Sequence, residues 1–566
     1  MNARLHSSLA LLAIAALLGA GCDDDPGLLR PDSGPRVDAG PAPTYWADVA
    51  PLVRRECLGC HAEGGIGPFR LDTSDALREE IDAIVAAVES GYMPPWMPDD
   101  SCRQFDHVRG LGEAERATFR RWMETGMQEG DEADLPPGPE PPPPFEGTHV
   151  ARMTEAYVPD AASPDDYRCF VLDHTFDADT FLTARNVVPG RPELVHHVLV
   201  YGVRPDLLAQ VEAADEADPG PGYTCFGGPL AGASTGDDTS TLGVIGLGGW
   251  VPGQLPYRQN EGAAIYVPAG SRIVMQVHYN LLGAEPAADE TEYHMVLTSE
   301  PPERLVTTDP LAILDLDIPA GEPIARNQRT FRNYRSEPMV VTGLTPHMHL
   351  LGTRLRAEIV PALDATAEPA CLVDVPDWDF NWQQSYRVRA DDALEIAPGE
   401  GVELTCVYDN SPTHQPTING EQLDPRDVTW GEGTLDEMCL LYVEQEKPWT
   451  GPPAVGCAAT ADCLDGCADG DTACLLRCEG LDGACRACLL RGTLGCAQSE
   501  CLAAYAPAAA CIESCILSYA LLGGSYERCL QAECRGGAAQ AVIDCVSGVV
   551  DAGACDAELT GCGVTR

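Results

Sequence analysis

The sequence predicts a multidomain chain: a small all-α domain, two antiparallel β-sandwiches, and a C-terminal disulfide-rich helical segment. Three observations carry this. At 566 residues the chain is longer than one core organises. Its apolar spacing changes from helical to alternating across a proline-rich stretch at 133–147. And 16 of its 25 cysteines lie between Cys457 and Cys562.

Taken in order, the N-terminus reads as an export signal over 1–22. Arg4 precedes a short apolar run, Leu9 to Leu18, which is too short to span a bilayer. Gly19, Ala20 and Gly21 then lead to Cys22. A small-residue stretch ending in Cys resembles a bacterial lipoprotein signal, and this implies a lipid on Cys22 and a membrane anchor at the periplasm or outer surface. Ordinary cleavage is the alternative. Residues 23–43, rich in Asp, Pro and Gly, read as a tether. Asp and Glu number 87 against 36 Lys and Arg, a net charge of −51, which argues against nucleic acid as a partner.

Residues 44–132 form the all-α domain. Ile81, Ile84, Val85 and Val88 recur at helical spacing, and Ala114, Ala117, Trp122 and Met123 mark a second helix within 113–127. Cys57-Leu58-Gly59-Cys60-His61 is a C-x-x-C-H motif, the attachment signal of a c-type haem. Two thiols one helical turn apart form thioethers to the porphyrin, and the adjoining His61 ligates iron. About thirty residues on, Met93 precedes Pro94-Pro95-Trp96. A Met so placed resembles the sixth ligand of c-type cytochromes, with Met97 as the alternative and His107 a weaker one. A His/Met pair favours electron transfer. Arg109, Leu111 and Trp122 fit the same cytochrome pattern.

From 148 to 448 short apolar or alternating runs recur between turn residues, among them 194–200, 271–279, 339–344 and 401–408. The length suits two sandwiches, 148–302 and 303–448, with a boundary in 301–310. In the Cys-rich region, 449–566, Cys463 and Cys467, Cys474 and Cys478, and Cys511 and Cys515 are four apart, as on one helix face. An even number of cysteines in an oxidising compartment favours disulfides over a thiol store for Cu(I).

Only 12 histidines occur, so their grouping informs. His196 and His197 are adjacent. His278 follows Gln276-Val277. His347 and His349 alternate, and Asp436-Glu437-Met438-Cys439 comes later. On a strand His347 and His349 share a face, whereas His196 and His197 point apart unless a bulge intervenes. Imidazole suits copper or zinc, and a thioether selects Cu(I). His149, His174, His294 and His414 fit no motif.

In this order the segments H-H, Q-V-H-Y, H-x-H and D-E-M-C resemble the copper type II, ascorbate-dependent monooxygenases over about 150–447. The resemblance implies two jelly-roll sandwiches with one copper each. His196, His197 and His278 would hold an electron-transfer copper, and His347, His349 and Met438 an oxygen-activating one. Gln276, Tyr442 and the Trp250-Val251-Pro252-Gly253 stretch fall in register with family motifs. Disulfides Cys169–Cys225 and Cys406–Cys439 are implied, leaving Cys102 and Cys371 unassigned. The peptide-amidating members carry Arg where Thr345 stands and Asn where Leu440 stands, which implies a more apolar pocket. The implied reaction is hydroxylation of a C–H bond of a small molecule or peptide by O2, with two electrons from ascorbate or from an external donor through the haem. A non-enzymatic electron-transfer or copper-sensing lipoprotein is the alternative.

Overall fold

The computed structural model describes residues 41–62, 67–106, 110–137, 145–161 and 165–452, together with Cys515 and Cys529. Within 165–452, residues 206, 226–227, 231–243, 253, 282–284, 336, 364, 393, 419–420 and 432 are not described. The export signal, Cys22, His107, Arg109, Gly253 and nearly all of the tether and Cys-rich region therefore lie outside the described residues. Contacts divide the chain into 1–42 and 43–566.

The N-terminal part is helical. Ile81–Ser90 buries the expected Ile81, Ile84, Val85 and Val88 and ends at Gly91, whose φ of 80° closes the helix at a left-handed position. The second helix, Glu113–Glu124, departs from expectation. It buries Phe119 and Trp122, while Ala114 and Ala117 face solvent, because two large rings shield more apolar surface than two methyl groups. These helices and Ala50–Glu56 share one core with Leu77 and Leu111.

Beyond residue 147 the chain is a pair of sandwiches. The first packs a five-stranded sheet against strands that include His149–Arg152, Glu292–Thr298, Thr180–Val188 and Ala263–Val267. The five-stranded sheet runs in the order Tyr223–Thr224, Asp165–Thr175, Arg272–Asn280, Val195–Val203, Ile245–Trp250. The second packs the sheet Ala325–Arg332, Gly401–Tyr408, Gly352–Val360, Ala370–Val375 against Arg304–Ala312, Leu440–Pro448 and Met339–His347. The inner halves are one continuous ten-stranded sheet. Arg304–Ala312 joins them: it pairs with Ala263 and Ala264 in parallel and with Leu440–Pro448 along its length. Most of the 301–310 stretch thus lies in this shared strand.

Residues 96–106 behave unlike the rest of the helical part. Phe105 is buried in the core of the second sandwich, its ring 5.4 Å from that of Tyr386, and Trp96 and Met97 pack against the same core. Asp99 N–H donates to the Asp374 carbonyl at 2.8 Å, Asp106 N–H to Arg387 at 2.9 Å, and Arg103 pairs with Asp392. A disulfide joins Cys102 to Cys371, the two cysteines left unassigned above. The helical part is therefore strapped to the second sandwich. Phe105→Ala should cost about 3–5 kcal/mol by emptying a core site. Denaturant unfolding of the full chain checks this, and a loss below about 1 kcal/mol would mean that the strap is peripheral.

Disulfides Cys169–Cys225, Cys406–Cys439 and Cys515–Cys529 also form. Together with Cys102–Cys371 they mark a chain exported to an oxidising compartment. Among the described residues no helix is long and apolar enough to cross a membrane.

Candidate metal centre

His196 and His197 lie on Val195–Val203, and His278 on the neighbouring Arg272–Asn280. Adjacent residues of a regular strand point to opposite faces. Here the register with Arg272–Asn280 shifts between Val195 and His197, and this irregularity turns both rings to one side. His197 pairs directly with His278. The three Nδ1 atoms then form a triangle with edges of 3.2, 3.2 and 3.4 Å. A point equidistant from them lies about 1.9 Å from each, close to a metal–imidazole bond of about 2.0 Å. These three histidines are the candidate metal cluster among the described residues.

Burial disfavours the charged imidazolium, pushing His196 down to about 4 and His197 and His278 well below the usual histidine value. The rings are neutral at pH 7, as metal ligands must be. His278 Nε2 lies 2.8 Å from Asp165 Oδ1. That carboxylate holds the proton on Nε2 and leaves the Nδ1 lone pair aimed into the triangle. Tyr167 stacks on His278 at 4.0 Å, and its hydroxyl reaches Thr434 of the second sandwich at 3.0 Å.

Across from this cluster, His347 ends the strand Met339–His347 and His349 follows it, their rings 5.1 Å apart and perpendicular. Here Nδ1 is the bonded atom. His347 Nδ1 lies 2.5 Å from Gln383 Oε1 and His349 Nδ1 lies 3.0 Å from the Asp436 carbonyl. Both acceptors hold the proton on Nδ1, leaving Nε2 with its lone pair. Burial lowers these two as well, His347 to about 3 and His349 to about 4. Met438 is buried with Ala312 and Leu440 beside Tyr442 and Trp430. The backbone brings it near the H-x-H, since His347 pairs with Leu440, two residues on.

The H-x-H turn is tied to the Met438 segment by Glu437. Its buried carboxylate accepts from the backbone N–H of His349 at 2.9 Å and of Leu351 at 2.6 Å. Burial pushes the carboxyl up, and these N–H groups pull it back down. The Cys406–Cys439 disulfide fixes the residue after Met438.

The two histidine groups meet at one ring. Phe380 stacks on His196 at 5.2 Å and stands edge-on to His349 at 6.2 Å. Asp165, Tyr167, Phe380, Gln383 and Glu437 were not singled out as site residues from sequence. Only Glu437 had a local signal, as an acid just before a buried run. Of the other residues considered above, Gln276 shares a strand with His278 and turns its amide to the Cys225 carbonyl at 3.4 Å. Tyr442 pairs with Thr345 and is half-buried, and the Thr345 hydroxyl bonds Ser385 at 2.8 Å.

In the helical part, Cys57 and Cys60 carry thiols rather than a disulfide. His61 N–H donates to the Cys57 carbonyl at 2.9 Å, so the C-x-x-C-H residues turn as one helical step. His61 Nδ1 lies 2.9 Å from the Phe69 carbonyl, which holds the proton there and leaves Nε2 free to ligate. Gly67 lies so close that a Cβ would stand 2.5 Å from that ring nitrogen. Met93 is half-buried with its N–H on the Ala87 carbonyl at 3.1 Å. Met97 lies in the strap, where its sulfur accepts from Asp379 N–H at 3.3 Å.

No curated protein matches the chain. Among solved structures, the major capsid protein P2 of bacteriophage PM2 is similar at 9% identity, over 53% of this chain and 98% of that one, with a TM-score of 0.21. A structure of infectious bursal disease virus, Gt strain, is similar at 12% identity, over 56% and 79%, with a TM-score of 0.13. Neither bears on function. A family model does match, over residues 327–446, that of the copper type II ascorbate-dependent monooxygenase, C-terminal domain. The match holds His347, His349, Glu437 and Met438, so residues 327–446 are similar to the C-terminal domain of that family.

Proposed function

We propose that the chain is a copper-dependent monooxygenase that hydroxylates a C–H bond of a small molecule or peptide with O2. The observation that carries this is the Nδ1 triangle of His196, His197 and His278 facing a His347/His349 pair inside the matched family domain. His196, His197 and His278 would hold one copper, and His347, His349 and Met438 the other. Copper in these positions supplies one-electron chemistry and the activation of O2. The protein's own part is to present neutral imidazoles, orient them through Asp165, Gln383 and the Asp436 carbonyl, and offer a soft thioether at Met438. Tyr442 and Gln276 keep supporting roles beside the two groups. Thr345 carries no charge to grip a peptide carboxylate, which favours an apolar substrate.

The same reading gives Cys57 and Cys60 a covalent c-type haem, ligated by His61 and Met93. The paired thiols and the Nδ1-bonded His61 support this, and the strap's use of Met97 favours Met93 as the sixth ligand. A haem there supplies a one-electron carrier, refilled by an external donor or by ascorbate, for the copper on His196, His197 and His278. The chain is placed at the periplasm or outer surface, held by a lipid on Cys22, without nucleic-acid partners.

The test is oxygen uptake by copper-loaded protein with 18O2 and a panel of aromatic and aliphatic probes. One labelled oxygen atom should enter the product. Binding of both coppers without any hydroxylation would favour the electron-transfer or copper-sensing alternative. A second expectation concerns Asp165. Asp165→Ala should weaken the three-histidine copper by about 10–100-fold, as loss of a carboxylate behind a ligating His does. Chelator competition measures this, and unchanged affinity would show that Asp165 does not orient His278.

A further inference from the structure

We propose that the turn Phe380–Trp382 is the electron entry of the copper sites, and that the strap over 96–106 exists to hold the haem-bearing part against it. This rests on the function proposed above. The turn is a three-residue 3-10 segment. At one end Phe380 touches both histidine groups, stacked on His196 at 5.2 Å and edge-on to His349 at 6.2 Å. At the other end Trp382 meets the ring of Tyr92 at 6.2 Å. Tyr92 is the residue before Met93. Tyr92 thus meets the turn at Trp382, and two residues earlier in the same turn Phe380 reaches a histidine of each group.

The contacts behind that turn are specific. Asp379 N–H donates to the Met97 sulfur at 3.3 Å, and the Gln384 amide donates to the Pro95 carbonyl at 3.4 Å. Trp96 stands edge-on to Tyr386 at 5.3 Å. So the residues on both sides of the turn are gripped by the residues just after Met93. The Cys102–Cys371 disulfide and the buried Phe105 make the grip permanent rather than a matter of tether length. A tether alone would deliver the carrier at a high effective concentration but in no fixed orientation. A strapped interface fixes both distance and path.

One electron moves per event, the donor iron passing from ferrous to ferric and the acceptor copper from Cu(II) to Cu(I), with no bond made or broken. An external one-electron reductant restores the donor. The path is open to both copper sites, because Phe380 lies against His196 and His349 alike.

The test uses the full chain, matured with haem and loaded with copper, mixed anaerobically in stopped flow with its haem reduced, its copper oxidised and no ascorbate. In the wild-type protein the haem should oxidise in a first-order phase independent of protein concentration. Tyr92→Leu and Trp382→Leu should each slow that phase by about tenfold or more. Their haem absorbance and copper EPR spectra should stay those of the wild type, so that binding is intact. Tyr92 is exposed, so its replacement remains informative if the Trp382 variant folds poorly. Wild-type rates in Tyr92→Leu and in a folded Trp382→Leu would overturn the path while the haem relay stands. A wild-type haem that stays reduced would overturn the relay, and the path with it.

Discussion

Replacing Met438 by Ile should lower hydroxylation by about a hundredfold or more, roughly 3 kcal/mol of transition-state stabilisation. Isoleucine keeps the bulk of a side chain buried with Ala312 and Leu440, so the fold should persist. What it removes is the thioether, the soft ligand that suits Cu(I). The copper on His196, His197 and His278 should remain, since those residues lie on strands of the other sandwich. EPR of the copper-loaded variant separates the two sites. Full activity in Met438→Ile would mean that Met438 is not a ligand.

Glu437→Ala should destabilise the second sandwich by roughly 2–4 kcal/mol, because the buried N–H groups of His349 and Leu351 lose their acceptor. Glu437→Gln should not restore stability. The amide has one acceptor oxygen where the carboxylate uses two, and its NH2 would oppose one of the backbone N–H groups. Denaturant unfolding measures both variants. If Glu437→Gln is as stable as the wild type, the two-oxygen clamp is not what holds the turn.

The parts of the site that were legible in sequence are those with local form. An H-x-H at the end of an alternating run puts two rings on one face, and the structure brings them to 5.1 Å. The His196-His197 pair was legible only conditionally. Its convergence depends on the register shift after Val195, which is set by pairing with a strand some eighty residues away. Residues that act across the fold left no mark. Gln383 reaches His347 over 36 positions and Asp165 reaches His278 over 113. Phe380 looks in sequence like any core aromatic.

The N-terminal part shows a different limit. Its helical periodicity was plain, yet residues 96–106 look like a loop within that segment while packing as part of another core. A disulfide that spans 269 residues has no sequence signature beyond two spare cysteines. The proline-rich stretch at 133–147 separates the helical part from the sandwiches in sequence, whereas Phe105 and Cys102 hold the helical part against the second sandwich. Packing preference, not chain connectivity, decides where such a segment belongs.

The proposed function requires two copper sites that face each other across Phe380. Metal analysis of the dialysed, copper-loaded chain tests it most directly. The account predicts two coppers per chain, one in His196→Ala/His197→Ala and one in His347→Ala/His349→Ala, with a different EPR signal lost in each. A single copper in the wild-type chain, or a count unchanged by either pair of substitutions, would contradict it.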